Sequence, residues 1–438
     1  MPPDRECFVH IGHTKTGSTS IQNAMGAHRQ ALARHGVCYP LSPGWGNHAL
    51  LPAAMAPPGL RENGVHPAFW NGLPPEERIA RFQDEFPAEM AALPPETRLV
   101  VLSSEQCIHM QPDVASVTRL RDFLMPHFRR VRIVVYLRRQ DDHFASAYTQ
   151  LLRDGVIKPP RLPEGGPRQL PHYDYAGLLW RWARAFGQDA IIPRLFERKL
   201  LVNGDAIDDF LALCGAEGSV PPEDANRSSN PSADARGQAL MVAVGEAMER
   251  ALPGHRAALS DPVWRHFTDL VTEAMPGRGW RPARDEAREF LDRFREGNEW
   301  IRQRWFPERT SLFTEDLDKL PETSAFPVGS ALLDGAAELL AHFSGMSLEA
   351  ARDHHVAMAR LEMRLERIPN ALRHLNMAVQ ADEHAPEPRL LLAELLARRG
   401  QLVPARLHLA AAAQKLPPED QRLARVRGLL QGSTAPAA

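Results

Sequence analysis

Phe8-Val9-His10-Ile11-Gly12-His13-Thr14-Lys15-Thr16-Gly17-Ser18-Thr19-Ser20 is the stretch on which the fold turns. Cys7 to Ile11 is a short apolar, β-prone run. A turn with two glycines follows, and then Ser20 to Arg34, where apolar residues and alanines recur at helical spacing. Strand, tight loop and helix in that order make an anion site. Glycine lets the backbone come close to an oxyanion, and the first helical N–H groups and the helix dipole point at it. Lys15 brings a full positive charge, and Thr16, Ser18 and Thr19 bring short hydroxyl donors.

Outward from this loop, buried runs alternate with helical patterns. Gly36 to Pro40 reads as a short return strand, and Pro74-Pro75-Glu76-Glu77 opens a helix running to about Leu93. Arg98 to Glu105 reads as a buried strand ending in polar residues, its continuous apolar run suited to a parallel sheet covered on both faces. Ser116 to Phe128 is an amphipathic helix, Arg132 to Leu137 a strand ending at Arg138-Arg139, and Gln140 to Asp154 a helix. Further on come a helix over Tyr173–Gly187, a strand over Asp189–Phe196 and a helix over Asp205–Cys214 that Gly215 stops. Helices near 237–252, 262–274 and 284–302 close the domain. The alternation predicts an α/β domain with a parallel sheet, whose ligands collect at the carboxyl ends of the strands. Lys15, Glu105 and Arg138 each follow such an end, so all three should meet in one crevice. Residues 40–75 form a proline- and glycine-rich loop carrying Trp45, His48, Phe69 and Trp70, suited to shaping a pocket.

From Ser347 onward alanine, leucine and arginine dominate. Asn370–Gln380 aligns with Pro404–Gln414 at a spacing of 34, with Ala371/Ala405, His374/His408, Leu375/Leu409, Ala378/Ala412 and Gln380/Gln414 identical. That period resembles tetratricopeptide repeats, in which small residues let neighbouring helices pack closely. The resemblance implies an all-α helical-repeat extension over 335–438, joined to an α/β domain over 1–325 through Pro321–Pro327 and able to recruit a protein partner.

A net charge of −2 argues against nucleic acid, and no apolar run approaches the roughly 20 residues that span a bilayer. Four widely spaced cysteines read as buried thiols of a reducing compartment. The charged start, Met1 to Glu6, is unlike a signal peptide, so the expected location is cytoplasmic. No Asp, His or Cys cluster stands at metal-ligand spacing, and no metal is expected.

The loop differs from the ATP/GTP loop G-x-x-x-x-G-K-[ST], because Ser18 takes the lysine slot and Lys15 precedes Gly17. Lys15-Thr16-Gly17-Ser18-Thr19 instead resembles the 5'-phosphosulfate loop of PAPS-dependent sulfotransferases, P-K-[ST]-G-T-[ST], with Thr14 in place of the usual proline. Arg138, Ser146 and Tyr148 resemble the R-x(7)-S-x-[YW] element that such enzymes use for the 3'-phosphate. Lesser likenesses to bacterial members lie at Gln22, Asn230-Pro231-Ser232 and Asn298-Glu299-Trp300-Ile301, leading into Arg304-Trp305-Phe306-Pro307. The likeness spans Arg5 to Phe313, and the arginine-lysine-glycine element of cytosolic members is not evident. It implies a P-loop-like three-layer domain that binds PAPS through Lys15, Thr16, Gly17, Ser18, Thr19, Ser20, Arg138 and Ser146. The activity implied is sulfuryl transfer to a hydroxyl or amine, with a saccharide as the expected acceptor. Lys15 would stabilise the leaving phosphate, and Glu105, or second His48, would take the acceptor's proton. A P-loop nucleotide kinase or NTPase, or a non-catalytic repeat protein with a degenerate α/β head, are the alternatives.

Overall fold

The computed structural model describes residues 4–57, 59–60, 70, 73–224, 232–251, 262–324, 326–327, 348–364, 368–399 and 401–432. Phe69, Asn230 and Pro231 lie outside them. The chain divides into two compact units, Met1–Gly335 and Ala336–Ala438. No helix among the described residues is long and apolar enough to cross a membrane.

The first unit is an α/β domain built on five parallel strands: β1 (Glu6–His10), β2 (Val37–Cys38), β3 (Leu99–Ser103), β4 (Arg130–Leu137) and β5 (Ile191–Leu195). Their order across the sheet is β2-β3-β1-β4-β5. β1 therefore lies between β3 and β4, with Glu6 opposite both Leu99 and Arg130. Side chains alternate between two faces, and both faces are covered. Cys7, Val9, Val100, Leu102, Ile133 and Val135 pack on one face with helices Leu50–Met55, Pro75–Ala91, Val114–Leu124 and Tyr175–Phe186. Phe8, Leu99, Val101, Val134 and Tyr136 pack on the other with helices Ser18–Ala27, Arg29–Arg34 and Ala206–Cys214. The result is a three-layer domain.

Local chemistry explains several element ends. Asp113 and Ser116 form a reciprocal capping box at the start of Val114–Leu124. Asp205 caps Ala206–Cys214, and Gly215 ends it in the left-handed region at φ 61°.

Three segments differ from the sequence reading. The first helix is broken at His28, and Arg29 of the second piece donates to the Gly26 and Tyr39 carbonyls. Tertiary demand at Arg29 outweighs the continuous helical pattern. The proline-rich stretch holds a helix, Leu50–Met55, with every residue buried, so much of it is core. The run expected over 284–302 is two helices, Arg284–Asp292 and Arg295–Trp305.

The second unit is all-α: Leu348–Arg364, Ile368–Ala381, Pro386–Arg398, Leu402–Ala413 and Gln421–Gly432. The repeated positions Ala371, Leu375, Ala378 and Ala405, Leu409, Ala412 are all buried.

On the sheet face covered by helix Ala206–Cys214, Asp209 is the most heavily committed buried carboxylate among the described residues. It accepts from Tyr136 Oη at 2.7 Å, Arg194 Nε at 3.1 Å and Val202 N at 3.2 Å. Asp209→Ala strands these donors and should lower the unfolding free energy by about 3 kcal/mol in urea titration. A loss below about 0.5 kcal/mol would contradict this account of the second layer.

Candidate functional site: an anion loop at three strand ends

β1 delivers the chain into the loop, and Ile11 N is the last donor tied to the sheet, to Val134 O at 3.0 Å. From Gly12 to Ser20 no main-chain N–H makes a hydrogen bond of normal geometry among the described residues. A run of unspent donors running into a helix start is an anion cradle. The backbone reaches this form through positive φ at Gly12 (61°), Lys15 (61°) and Gly17 (81°). A Cβ on Gly12 would stand 2.9 Å from Ser18 Oγ and 3.0 Å from Glu105 Cβ, and one on Gly17 would stand 2.9 Å from Ala206 Cβ. Both glycines are thus demanded by packing as well as by conformation.

The loop hydroxyls behave otherwise than expected. Thr16 Oγ1 and Ser18 Oγ both donate to His13 O, at 2.6 and 3.0 Å. They are buried and turned inward, so they brace the loop and leave donation to the backbone. Thr19 is exposed and Ser20 half-buried.

Arg138, at the end of β4, donates from Nη1 to Lys15 O at 3.0 Å and lies over the Phe196 ring. Tyr175 Oη holds the Arg138 carbonyl at 2.7 Å. Lys15 is half-buried, and its ammonium has no acceptor among the described residues. Burial, then Arg153, then Arg138 push its pKa below the usual lysine value. Burial also lowers that of Arg138. Arg153 pairs with Asp269 at 3.0 Å, and its buried Nε lacks a partner. Three cations crowding a site of unspent donors is a cost that a bound anion removes. Ser146 lies half-buried on helix Gln140–Arg153, two turns before Arg153 and on its face. Arg153 was missed in the sequence, although this spacing of seven from Ser146 was there to find it.

Glu105, beyond β3, stands against Gly12. Gln22 Nε2 donates to its Oε2 at 2.6 Å and Asn47 Nδ2 to its Oε1 at 3.1 Å. The lesser position Gln22 thereby acquires a task, and Asn47 joins it. His48 does not reach the crevice. It is fully buried and stacked on Tyr39, and burial pushes its pKa down to about 3. Its Nδ1 accepts from Ser103 N at 3.1 Å, and its Nε2 donates to Pro40 O at 3.1 Å. With both nitrogens committed to backbone, no lone pair remains for an acceptor's proton. The expectation for His48 as a base is corrected to that of a core residue.

Beside the loop, His13, His143 and His172 gather with one ligand atom from each, all within 4.8 Å of one another. Their positions in the chain are far apart, so no spacing announced them. Burial lowers the pKa of His13 to about 4, that of His172 to about 3 and that of His143 well below its usual value. The imidazoles are therefore neutral at pH 7, as a site already holding three cations favours.

No protein-family model matches this chain. An uncharacterized protein of Archaeoglobus fulgidus is 28% identical over 210 residues, which covers 47% of this chain and 54% of that protein. The chain thus spans about half the length of that relative. Among solved structures, a crystal structure of a sulfotransferase from Alicyclobacillus acidocaldarius is similar at 18% identity, covering 57% of this chain and 96% of that one, with a TM-score of 0.30. Likeness at that level assigns neither fold nor activity.

His10, His13 and His48 are buried and neutral when folded but titrate near 6.5 when unfolded, so the unfolded chain takes up protons first as pH falls. Unfolding free energy should therefore drop from about pH 6.5 downward, at up to about 1.4 kcal/mol per pH unit for each imidazole. A flat profile between pH 7 and 5 in urea titrations would contradict their burial as neutral groups.

Proposed function

We propose that the chain is a PAPS-dependent sulfotransferase, passing a sulfuryl group to a hydroxyl or amine, in the first place of a saccharide. The observation that carries this reading is the meeting of the open N–H run Gly12–Ser20, Lys15 and Arg138 at adjacent strand ends, on residues that match two sulfotransferase motifs. The catalytic domain is assigned to 1–325. The helices over 335–438 are read as tetratricopeptide-like and as a dock for a protein partner, and the protein as cytoplasmic.

PAPS, when bound, supplies the sulfuryl group and a phosphate oxygen as its leaving atom. The backbone N–H groups and Lys15 hold negative charge as it grows on that oxygen. Arg138, with donors left after its bond to Lys15 O, and Ser146 hold the 3'-phosphate. Glu105, fixed by Gln22 and Asn47, takes the proton of the acceptor. Supporting these roles is the separation of charge in the crevice: cations gather on the β4 side of the loop and the carboxylate on the β3 side.

Calorimetry separates this reading from nucleoside triphosphate chemistry. 3',5'-ADP should bind more tightly than ATP with Mg²⁺, and the reverse order would reject the reading. Arg138→Ala should weaken 3',5'-ADP by about 2 kcal/mol and leave 5'-AMP little changed; equal losses would remove Arg138 from the 3'-phosphate. With labelled PAPS and a panel of glycans, Glu105→Gln should lower kcat by about 100-fold with KM nearly unchanged. Full activity in that variant would remove Glu105 as the base.

A further inference from the structure

We propose that His13, His143 and His172 form a binding site for one divalent transition metal of the zinc class, which ties the anion loop to the helix Gln140–Arg153. The proposal stands on the cluster alone, whether or not the group transferred is sulfuryl.

The donor set fits. Two imidazole nitrogens on a tetrahedral zinc stand about 3.3 Å apart, from a metal–nitrogen bond of about 2.0–2.1 Å. Here His13 Nδ1 and His143 Nε2 are 2.9 Å apart, and all three ligand atoms lie within 4.8 Å. Ring centroids are separated by 4.5 Å (His13–His143), 4.3 Å (His13–His172) and 4.8 Å (His143–His172). Rings on one tetrahedral ion have centroids about 5 Å apart, so small shifts complete the site.

The tautomer fits at His13 and must change at His143. His13 Nε2 donates to His172 O at 3.0 Å, which leaves its Nδ1 as the lone-pair nitrogen facing His143. A ligating histidine is oriented by such a bond from its other nitrogen. His143 Nε2 donates to Thr14 O at 2.8 Å, so ligation through Nε2 gives up that bond and moves the proton to Nδ1, which is buried without a partner. Thr14 adds oxygen at the same point: its carbonyl lies 2.8 Å and its Oγ1 3.2 Å from His143 Nε2, and Oγ1 is 3.4 Å from His172 Nε2. Thr14 is the residue at which the loop departs from the sulfotransferase pattern, and a proline there would offer no hydroxyl.

Surroundings and access complete the case. Tyr175 and Tyr173 edges close the apolar side, and His13 and His143 are buried. His172 is partly exposed and stacked on His109, which gives an ion a way in. Imidazole donors with a hard oxygen nearby select zinc-class ions over Mg²⁺ or Ca²⁺.

The test uses the full chain, stripped with chelator, dialysed and loaded with Zn²⁺ or Co²⁺. The wild type should bind one ion per chain and melt at higher temperature than the stripped protein, and Co²⁺ should give the visible absorption of a tetrahedral nitrogen site. His172→Ala, at a partly exposed position, should fold and lose about 100-fold or more in affinity. Thr14→Pro should keep binding through the histidines with altered cobalt absorption. Sub-stoichiometric uptake by folded wild type, or uptake by His172→Ala and His143→Gln equal to wild type, would overturn the proposal and assign any bound metal to surface histidines.

Discussion

The first unit depends on a loop whose main chain is left unpaired. Each N–H shielded from water without an acceptor costs about 1–3 kcal/mol, and Gly12, His13, Thr16 and Ser18 of this run are buried, so it persists only if the surroundings hold it. The hold is visible in three places. Thr16 and Ser18 converge on one carbonyl, that of His13. Gly12 and Gly17 lie too close to Glu105 and Ala206 to carry a side chain. Arg138 grips the Lys15 carbonyl from the neighbouring strand. A sheet covered on both faces supplies the rigidity, because the strand ends that aim these groups are buried throughout.

Electrostatics around the loop follow from this placement. Lys15, Arg138 and Arg153 sit together, with only Asp269 as a direct counterion among the described residues. A fourth or fifth positive charge would be expensive there, and burial keeps the histidines neutral. Neutral imidazoles are ligands and hydrogen-bond partners, not further cations. On the other side of the loop Glu105 is kept apart from these cations by amide donors, Gln22 and Asn47, in place of an ion pair. Its two oxygens are oriented without being neutralised by a guanidinium among the described residues, as the base role proposed for it requires.

Much of this was legible in the sequence because it is local. Apolar runs such as Leu99–Ser103 and the glycines of the loop report backbone needs that neighbours in sequence impose. The caps Asp205 and Gly215 are local too. The break at His28, the helix Leu50–Met55 and the burial of His48 were not legible, since each is decided by partners brought from elsewhere: Arg29 reaching Tyr39, the core under β3, and Ser103 N meeting an imidazole. The inward turn of Thr16 and Ser18 escaped for a related reason. Residue type shows that a hydroxyl can donate, but which acceptor it finds depends on the loop's closed form. His13, His143 and His172 are the extreme case, joined only by the crossing of β1, the helix after β4 and the segment before Tyr175.

The central claim is that the unpaired backbone of Gly12–Ser20 is an anion cradle. Amide NMR of the perdeuterated chain, titrated with 3',5'-ADP, tests it most directly. The account expects the amide resonances of Gly12 to Ser20 to move the most and downfield, as they acquire charged acceptors, with the loop after β5 little changed. Saturable binding that leaves those amides in place would contradict it.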